Sequence, residues 1–200
     1  MKPKKPAAKL TTARARPRKT TVAVGAKSKS AAEIASIDEL MAYAYALELE
    51  ASERYAEFAD AMDVHNNREV AELFRKLARI EHRHAEQVLD DMGWMSPPPA
   101  PHGGYKWEGF EAPETGDVGE LHYLMRPYHA LQIALHNEKR AYVFFSSLVK
   151  QAGNAKVKKA AENMKEEEAE HVRLIEEWIK RTPKPETDWA LDPDPPALAD

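Results

Sequence analysis

Four long stretches of the chain carry apolar residues at intervals of three and four positions, the spacing of one buried helix face. The expected helix ends have suitable residues: Ser36 and Glu39 form a capping box, and Gly93 follows an apolar run. The predicted helices run from Ser36 to about Val64, from Asn67 to about Met92, from about Pro127 to Gln151 and from Asn154 to about Arg181. The pattern therefore predicts an all-α fold, a four-helix bundle.

The segment between the second and third predicted helices, residues 94–119, has little periodicity and is rich in proline and glycine. It is too long for a tight turn between antiparallel neighbours. We therefore expect a crossover that runs along the bundle. A short helical piece from Glu120 to Arg126 is predicted before Pro127, which suits a first helical turn.

Six ionisable residues interrupt the apolar rows of these helices. Glu81 and His84 lie one turn apart on the second helix, and Glu168 and His171 repeat that arrangement on the fourth. Helices one and three each contribute one carboxylate, Glu48 and Glu138. Ionisable groups are seldom buried unless they are paired or bind a metal. Three further glutamates of the first helix lie off its apolar row and are predicted to face solvent: Glu50, Glu53 and Glu57.

The spacing of these residues reveals an internal repeat. Glu48-x-x-Ala51-x-x-x-Tyr55 resembles Glu138-x-x-Ala141-x-x-x-Phe145, and a Glu-x-x-His helix follows each of them. The chain is therefore predicted to form two helix hairpins of one design, joined by the crossover.

Four carboxylates and two imidazoles in a bundle core are the ligand set of a di-iron or di-manganese site. Four carboxylates balance the charge of two divalent ions. The chain has no cysteine, which excludes thiolate zinc sites and iron–sulfur clusters. We predict two iron ions, with manganese or a mixed manganese–iron pair as alternatives.

The predicted roles of the six side chains follow the repeat. Glu81 and Glu168 would bridge the two ions, whereas the other four would be terminal ligands, Glu48 with His84 and Glu138 with His171. Three tyrosines are candidate hydrogen-bond donors around the site: Tyr55, Tyr45 and Tyr142. An ordinary place in the core is the competing explanation for each of them.

Charge is distributed unevenly along the chain. Residues 1–32 hold ten lysines and arginines and no acidic residue, whereas the remainder holds 19 basic and 33 acidic side chains. Residues 1–35 are predicted to be a disordered basic tail, residues 36–182 the bundle, and residues 183–200 a Pro- and Asp-rich tail. Residues 1–30 would bind nucleic acid, direct the protein to an organelle or act only as a solubilising tail.

No stretch approaches the ~18 consecutive apolar residues of a membrane-spanning helix. We therefore expect no membrane association and a cytoplasmic location, with organelle targeting through the basic segment as the alternative.

With these residues in place, helices one to four, about residues 37–181, resemble the ferritin-like di-iron superfamily. The run from Ser52 to Ala59, with six residues between Glu48 and Tyr55, looks most like the rubrerythrin branch. The resemblance implies an antiparallel four-helix bundle, a non-haem di-iron centre with the same six ligands, and ferroxidase or peroxide-reducing chemistry. Ala141 stands where rubrerythrins have an additional glutamate, and a chain without cysteine has no rubredoxin domain. The remaining set is closer to a bacterioferritin-like ferroxidase centre.

The predicted function is therefore that of a di-iron oxidoreductase that reduces peroxide or O2, oxidises Fe(II), or does both. Three alternatives use the same features differently: an iron-storage subunit of a larger assembly, a DNA-associated ferritin-like protein, and a di-iron hydroxylase of a quinone or modified RNA. A homodimer or higher homo-oligomer is expected in each case.

Overall fold

Four long α-helices make up most of the protein. The computed structural model describes residues 34–107 and 111–192. Within these residues there are four α-helices, one short 3-10 helix (Val118–Glu120) and no strand. The α-helices are α1 (Ile37–Val64), α2 (Arg68–Met92), α3 (Pro127–Gln151) and α4 (Ala155–Arg181). The all-α prediction is confirmed. Residues 1–33 of the predicted basic tail and residues 193–200 of the C-terminal tail lie outside the described residues, whereas Ile34, which was predicted to belong to the disordered tail, is buried in the core.

Side chains cap the helices where the sequence predicts. Asn67 accepts a hydrogen bond from the Val70 backbone N–H at the start of α2, and Gly93 ends that helix with a left-handed φ of 64°. Ser36 caps α1 by accepting from the Glu39 backbone. The Glu39 carboxylate, however, accepts from the backbone of Ala35 and not of Ser36. The capping box is therefore displaced by one residue from the predicted reciprocal form.

The connection differs from its prediction at one point. The structure has only the 3-10 helix Val118–Glu120 and a turn at residues 122–125, and no helical piece from Glu120 to Arg126. The backbone of Arg126 is extended, which satisfies the steric demand of the following Pro127. The predicted helical piece was wrong. A proline disfavours helical geometry in the residue before it, and Arg126 is accordingly extended.

The helices form two hairpins, α1 with α2 and α3 with α4, which pack side by side. One apolar cluster joins the C-terminal half of α1 to the N-terminal halves of α2 and α3 and to the end of α4. A second cluster joins the opposite halves of the same helices. Helices α1 and α3 therefore run in opposite directions, and the connection travels the length of the bundle as predicted.

Large side chains stabilise both clusters. Phe58, Phe74 and Phe145 are completely buried, and each such side chain contributes about 1.5–3 kcal/mol through its burial. Ser52 links α1 to α2 by donating a hydrogen bond of 2.9 Å to the carbonyl of Ala78. Among the described residues, no helix is long and apolar enough to cross a membrane.

Candidate metal centre

The predicted ligands lie at the boundary between the two apolar clusters. On α1, one cluster ends at Leu47 and the other begins at Ala51, so Glu48 falls between them. On α3, Glu138 occupies the equivalent place between Ala134 and Ala141. All four predicted glutamate ligands are at most 4% exposed. The helices therefore place these carboxylates halfway along a core that is apolar above and below them.

The first hairpin forms one compact cluster of three side chains. Nδ1 of His84 lies 3.1 Å from an oxygen of Glu81 and 3.5 Å from an oxygen of Glu48. One ligand atom from each residue lies within 4.8 Å of the others, a spacing that can hold a metal ion. Glu81 and His84, which lie one helical turn apart on α2, provide two of these side chains. Packing of α1 against α2 adds the third, Glu48.

The second hairpin repeats the arrangement. Nδ1 of His171 lies 3.4 Å from an oxygen of Glu168 and 3.4 Å from an oxygen of Glu138. These three residues form the second group with metal-ligand spacing. The rings of His84 and His171 stack with their centroids 4.4 Å apart. The two clusters therefore adjoin, as the predicted two-ion site requires.

Buried polar atoms without partners show that the cluster suits cations. Both carboxylate oxygens of Glu168 are buried without a hydrogen-bond partner, as are one oxygen each of Glu48 and Glu138 and Nδ1 of His171. Such atoms are costly to bury unless something binds them. Their nature, oxygen with one imidazole per cluster and no sulfur, suits iron or manganese. The donor set therefore fits a pair of divalent ions.

Burial and the mutual influence of its charges determine the electrostatics of the first cluster. Burial raises the pKa of Glu48 to about 8, although the neighbouring His84 opposes this shift. Burial lowers the pKa of His84, but Glu48 and Glu81 outweigh that effect and raise it to about 10. Because metals bind carboxylates and imidazoles in their deprotonated forms, metal binding would displace protons from this cluster.

The second cluster is balanced in the same way. Burial raises the pKa of Glu138 to about 7 against the opposing effect of His171. For His171, burial lowers the pKa, but Glu138 and Glu168 raise it to about 11.

The three candidate tyrosines occupy different environments. Tyr55 is buried and its hydroxyl accepts a hydrogen bond of 3.2 Å from the Asn137 side chain, next in sequence to Glu138. Burial raises the Tyr55 pKa well above its usual range, and the charges of Glu81 and Glu138 add to the shift. Tyr45 is buried in the second apolar cluster, whereas Tyr142 is exposed. The predicted donor role stays a prediction for all three tyrosines, since the bond at Tyr55 is one that its hydroxyl accepts.

Two residues near the centre differ from what the sequence suggested. Glu50 was predicted to face solvent, but it is half-buried and accepts a hydrogen bond of 3.2 Å from the backbone of Ala112 in the connection. That prediction was wrong because the connection packs onto this side of α1.

Glu114 lies in the connection, where it is buried and interacts electrostatically with all four glutamates of the two clusters. Helical periodicity could not identify Glu114, since it lies in a segment that has none.

A small cavity adjoins the centre. It has a volume of about 180 Å³, and Glu48, His84 and His171 are among its lining residues. A larger cavity, of about 1020 Å³, lies elsewhere, between the end of α4 and the C-terminal segment around Trp189. None of the six candidate ligands lines it. The small cavity is therefore the relevant one for chemistry at the paired clusters.

Comparison with known proteins agrees with this geometry. The family model described as Rubrerythrin matches residues 39–179. A similar solved structure is that of an uncharacterized conserved protein from Magnetospirillum magnetotacticum MS-1. It is 36% identical, with a TM-score of 0.53, and the match covers 76% of this chain and 98% of that one. No curated protein matches the chain significantly.

The family match spans all four helices and every residue of the two clusters. The fold is that of a ferritin-like four-helix bundle, and its paired Glu/His clusters fit a di-iron site. The chain therefore belongs to the rubrerythrin family.

Proposed function

We propose that the protein is a di-iron oxidoreductase that reduces peroxide or O2 at the paired clusters, with Fe(II) as the source of electrons. The observation that carries the proposal is the pair of Glu/His clusters, in which the four glutamates are buried and several carboxylate oxygens and one imidazole nitrogen have no hydrogen-bond partner. When bound, two Fe(II) ions supply two electrons, which together with two protons convert one hydrogen peroxide molecule into two waters.

The side chains of this protein perform the other parts of the reaction. Glu48 with His84 and Glu138 with His171 would hold one ion each, and Glu81 and Glu168 would join them. The apolar clusters on both sides exclude bulk water from the centre. The Tyr55 hydroxyl, fixed by Asn137, holds a proton beside Glu81 and Glu138.

The size of the adjoining cavity favours a small substrate. Its volume of about 180 Å³ corresponds to a few water molecules, each of which takes up about 30 Å³ in the liquid. Pockets for larger organic ligands are usually about 300–1,000 Å³. Peroxide and O2 therefore fit this cavity better than the quinone or nucleoside of a hydroxylase.

The test is stopped-flow oxidation of anaerobically purified protein loaded with two Fe(II) per chain. Addition of peroxide, and in a parallel experiment O2, should produce the near-ultraviolet absorption of an oxidised iron pair with consumption of the oxidant. Glu166→Ala provides the matched control, because Glu166 is an exposed glutamate of α4. Loaded protein that leaves both oxidants unchanged would contradict the proposal.

Excess Fe(II) separates iron handling from peroxide reduction. A protein that oxidises Fe(II) as a substrate continues beyond two ions per chain, whereas a peroxide-reducing centre stops there until it is reduced again. Measurement of the molecular mass under the same conditions then tests for the predicted assembly: a closed shell indicates iron storage, and a dimer does not.

A second candidate function rests on the sequence of residues 1–32, with ten basic and no acidic side chains. We propose that this segment attaches the acidic bundle to nucleic acid through phosphate contacts. Affinity for duplex DNA should then fall steeply as salt is raised and disappear when residues 1–30 are deleted. Binding that survives the deletion would exclude the segment as the interface.

A further inference from the structure

Glu114 is a buried carboxylate whose burial the rest of the protein does not explain. Its side chain is 3% exposed, and neither carboxylate oxygen has a hydrogen-bond partner among the described residues. An ionised carboxylate without a partner is among the costliest groups to bury. A protonated carboxyl group would also leave its donor and acceptor unused. Among the described residues, therefore, no positively charged side chain bonds to Glu114.

Contacts on its N-terminal side fix the position of Glu114 against α1. Arg54 donates a hydrogen bond of 2.8 Å to Glu111, three residues before Glu114. Glu50 accepts one of 3.2 Å from the backbone of Ala112. The chain entering Glu114 is therefore held at two points on the same helix that carries Glu48.

Contacts on its C-terminal side fix it against α3. Arg140 donates a hydrogen bond of 3.3 Å to the carbonyl of Thr115. A Cβ atom added to Gly116 would lie 3.0 Å from the Phe58 ring and 3.2 Å from the Asn137 amide, so the backbone is tightly packed there. The bonds on both sides thus place Glu114 over the helices that carry Glu48 and Glu138.

The electrostatic neighbours of Glu114 are the glutamates of the metal centre. Burial is the main reason that its pKa lies well above the usual range, and the charges that add to this shift belong to Glu48, Glu168, Glu138 and Glu81. Glu114 is a member of neither three-residue cluster. It instead lies in the connection, which packs on the helices that carry Glu48 and Glu138.

We propose that Glu114 is a seventh ligand of the metal centre, so that the connection supplies a fifth carboxylate to the two ions. This role rests on the metal pair of the proposed function. Hard divalent cations favour carboxylate oxygens, and the two unpartnered oxygens would find their missing positive group in one of the ions. Five carboxylates also exceed the charge of two divalent ions, so the centre should favour ions of higher charge.

The test is a titration of the full-length, metal-free protein with Co(II), followed by visible absorption. Glu114→Gln should weaken the binding of at least one of two Co(II) ions by about ten- to a hundredfold. It should also change the intensity of the Co(II) absorption bands, because that intensity depends on the coordination number of the ion. Glu120→Gln is the matched control, an exposed glutamate of the same connection. Glu111→Gln measures the effect of loosening the connection alone.

A second variant separates ligation from a structural role. Glu114→Met removes the buried carboxylate at similar size, so the metal-free protein should melt about 2–4 °C higher, while Co(II) should stabilise it less than it stabilises the wild type. A structural role predicts the opposite, a lower melting temperature without metal.

Each outcome has a distinct meaning. If Glu114→Gln binds two Co(II) ions with the affinity and spectrum of the wild type, the seventh-ligand proposal is wrong and the six-ligand centre stands. A wild type that binds no pair of ions would overturn both proposals. Normal Co(II) binding with no reaction of the iron-loaded protein toward peroxide or O2 would refute the proposed reaction and leave Glu114 as a ligand.

Discussion

The two helix hairpins carry the same three-residue cluster in unequal surroundings. The His84 side chain of the first hairpin is 32% exposed, whereas that of His171 in the second is 19% exposed. Glu168 of the second cluster is completely buried with both oxygens unpartnered, while Glu81 of the first is bonded to His84. The sequence repeat thus fixes the ligands, but packing makes the first half of the centre more accessible.

The residues two turns after Glu48 and Glu138 also differ between the hairpins. Tyr55 and Phe145 occupy equivalent places in the repeat, and both are buried. Only Tyr55 has a hydroxyl, which accepts a hydrogen bond from Asn137. The first hairpin therefore brings a protic group beside the centre where the second brings an apolar ring. An almost symmetrical scaffold can in this way hold two ions in chemically different sites.

The largest expected effect comes from the carboxylates predicted to bridge the ions. Glu81→Ala or Glu168→Ala should abolish paired metal binding, because each would remove a ligand that both ions are predicted to share. Metal analysis after equilibration with Co(II) or Fe(II) would measure the stoichiometry, with Glu166→Ala as the exposed control. If either variant still binds two ions, the carboxylate that was removed does not bridge them.

The histidines test whether the two halves differ. His84→Ala and His171→Ala should each lower the stoichiometry from two ions to about one, since each removes a terminal ligand of one ion. In the wild-type protein, a chelator should remove the two ions in separate phases because the first cluster is more exposed. His171→Ala should retain the fast phase and His84→Ala the slow one. A single phase in the wild type, or the reverse assignment, would contradict the comparison.

Tyr55→Phe gives the first hairpin the same residue type that the second hairpin has at Phe145. The buried Asn137 amide then loses its acceptor, which should cost about 1–3 kcal/mol of stability. Denaturant unfolding of the metal-free protein measures this cost. Combination with Asn137→Leu should recover part of the loss, since the amide that lacks a partner is also removed. Additive losses in the double variant would show that the hydrogen bond does not couple the two residues.

The smallest effect concerns the connection, which packs on α1 and α3. Glu50→Gln should weaken the bond to Ala112 and lower the stability by about 1 kcal/mol, whereas Glu53→Gln on the exposed face should change it by less than about 0.5 kcal/mol. Both are measured by thermal unfolding of metal-free protein. Equal effects would mean that Glu50 is as solvated as the helical pattern suggested.

The sequence alone determined the four helices and the two-hairpin design. Capping residues such as Ser36, Asn67 and Asn154 and the breaker Gly93 act within one turn of the chain, so their effects can be read locally. The same holds for the six ionisable residues, because a polar group in an otherwise apolar helical row is visible from spacing alone. Glu81 with His84 and Glu168 with His171 are fixed partners by helix geometry before any packing occurs.

Only the tertiary structure decided how the rest of the chain meets this centre. Glu50 is bound and Glu114 is buried because the connection folds back over α1 and α3, a long-range contact that no local pattern encodes. The bond between Tyr55 and Asn137 likewise joins residues 82 positions apart. Local spacing specifies which side chains face the core, whereas their exposure and their partners depend on distant segments brought together by folding.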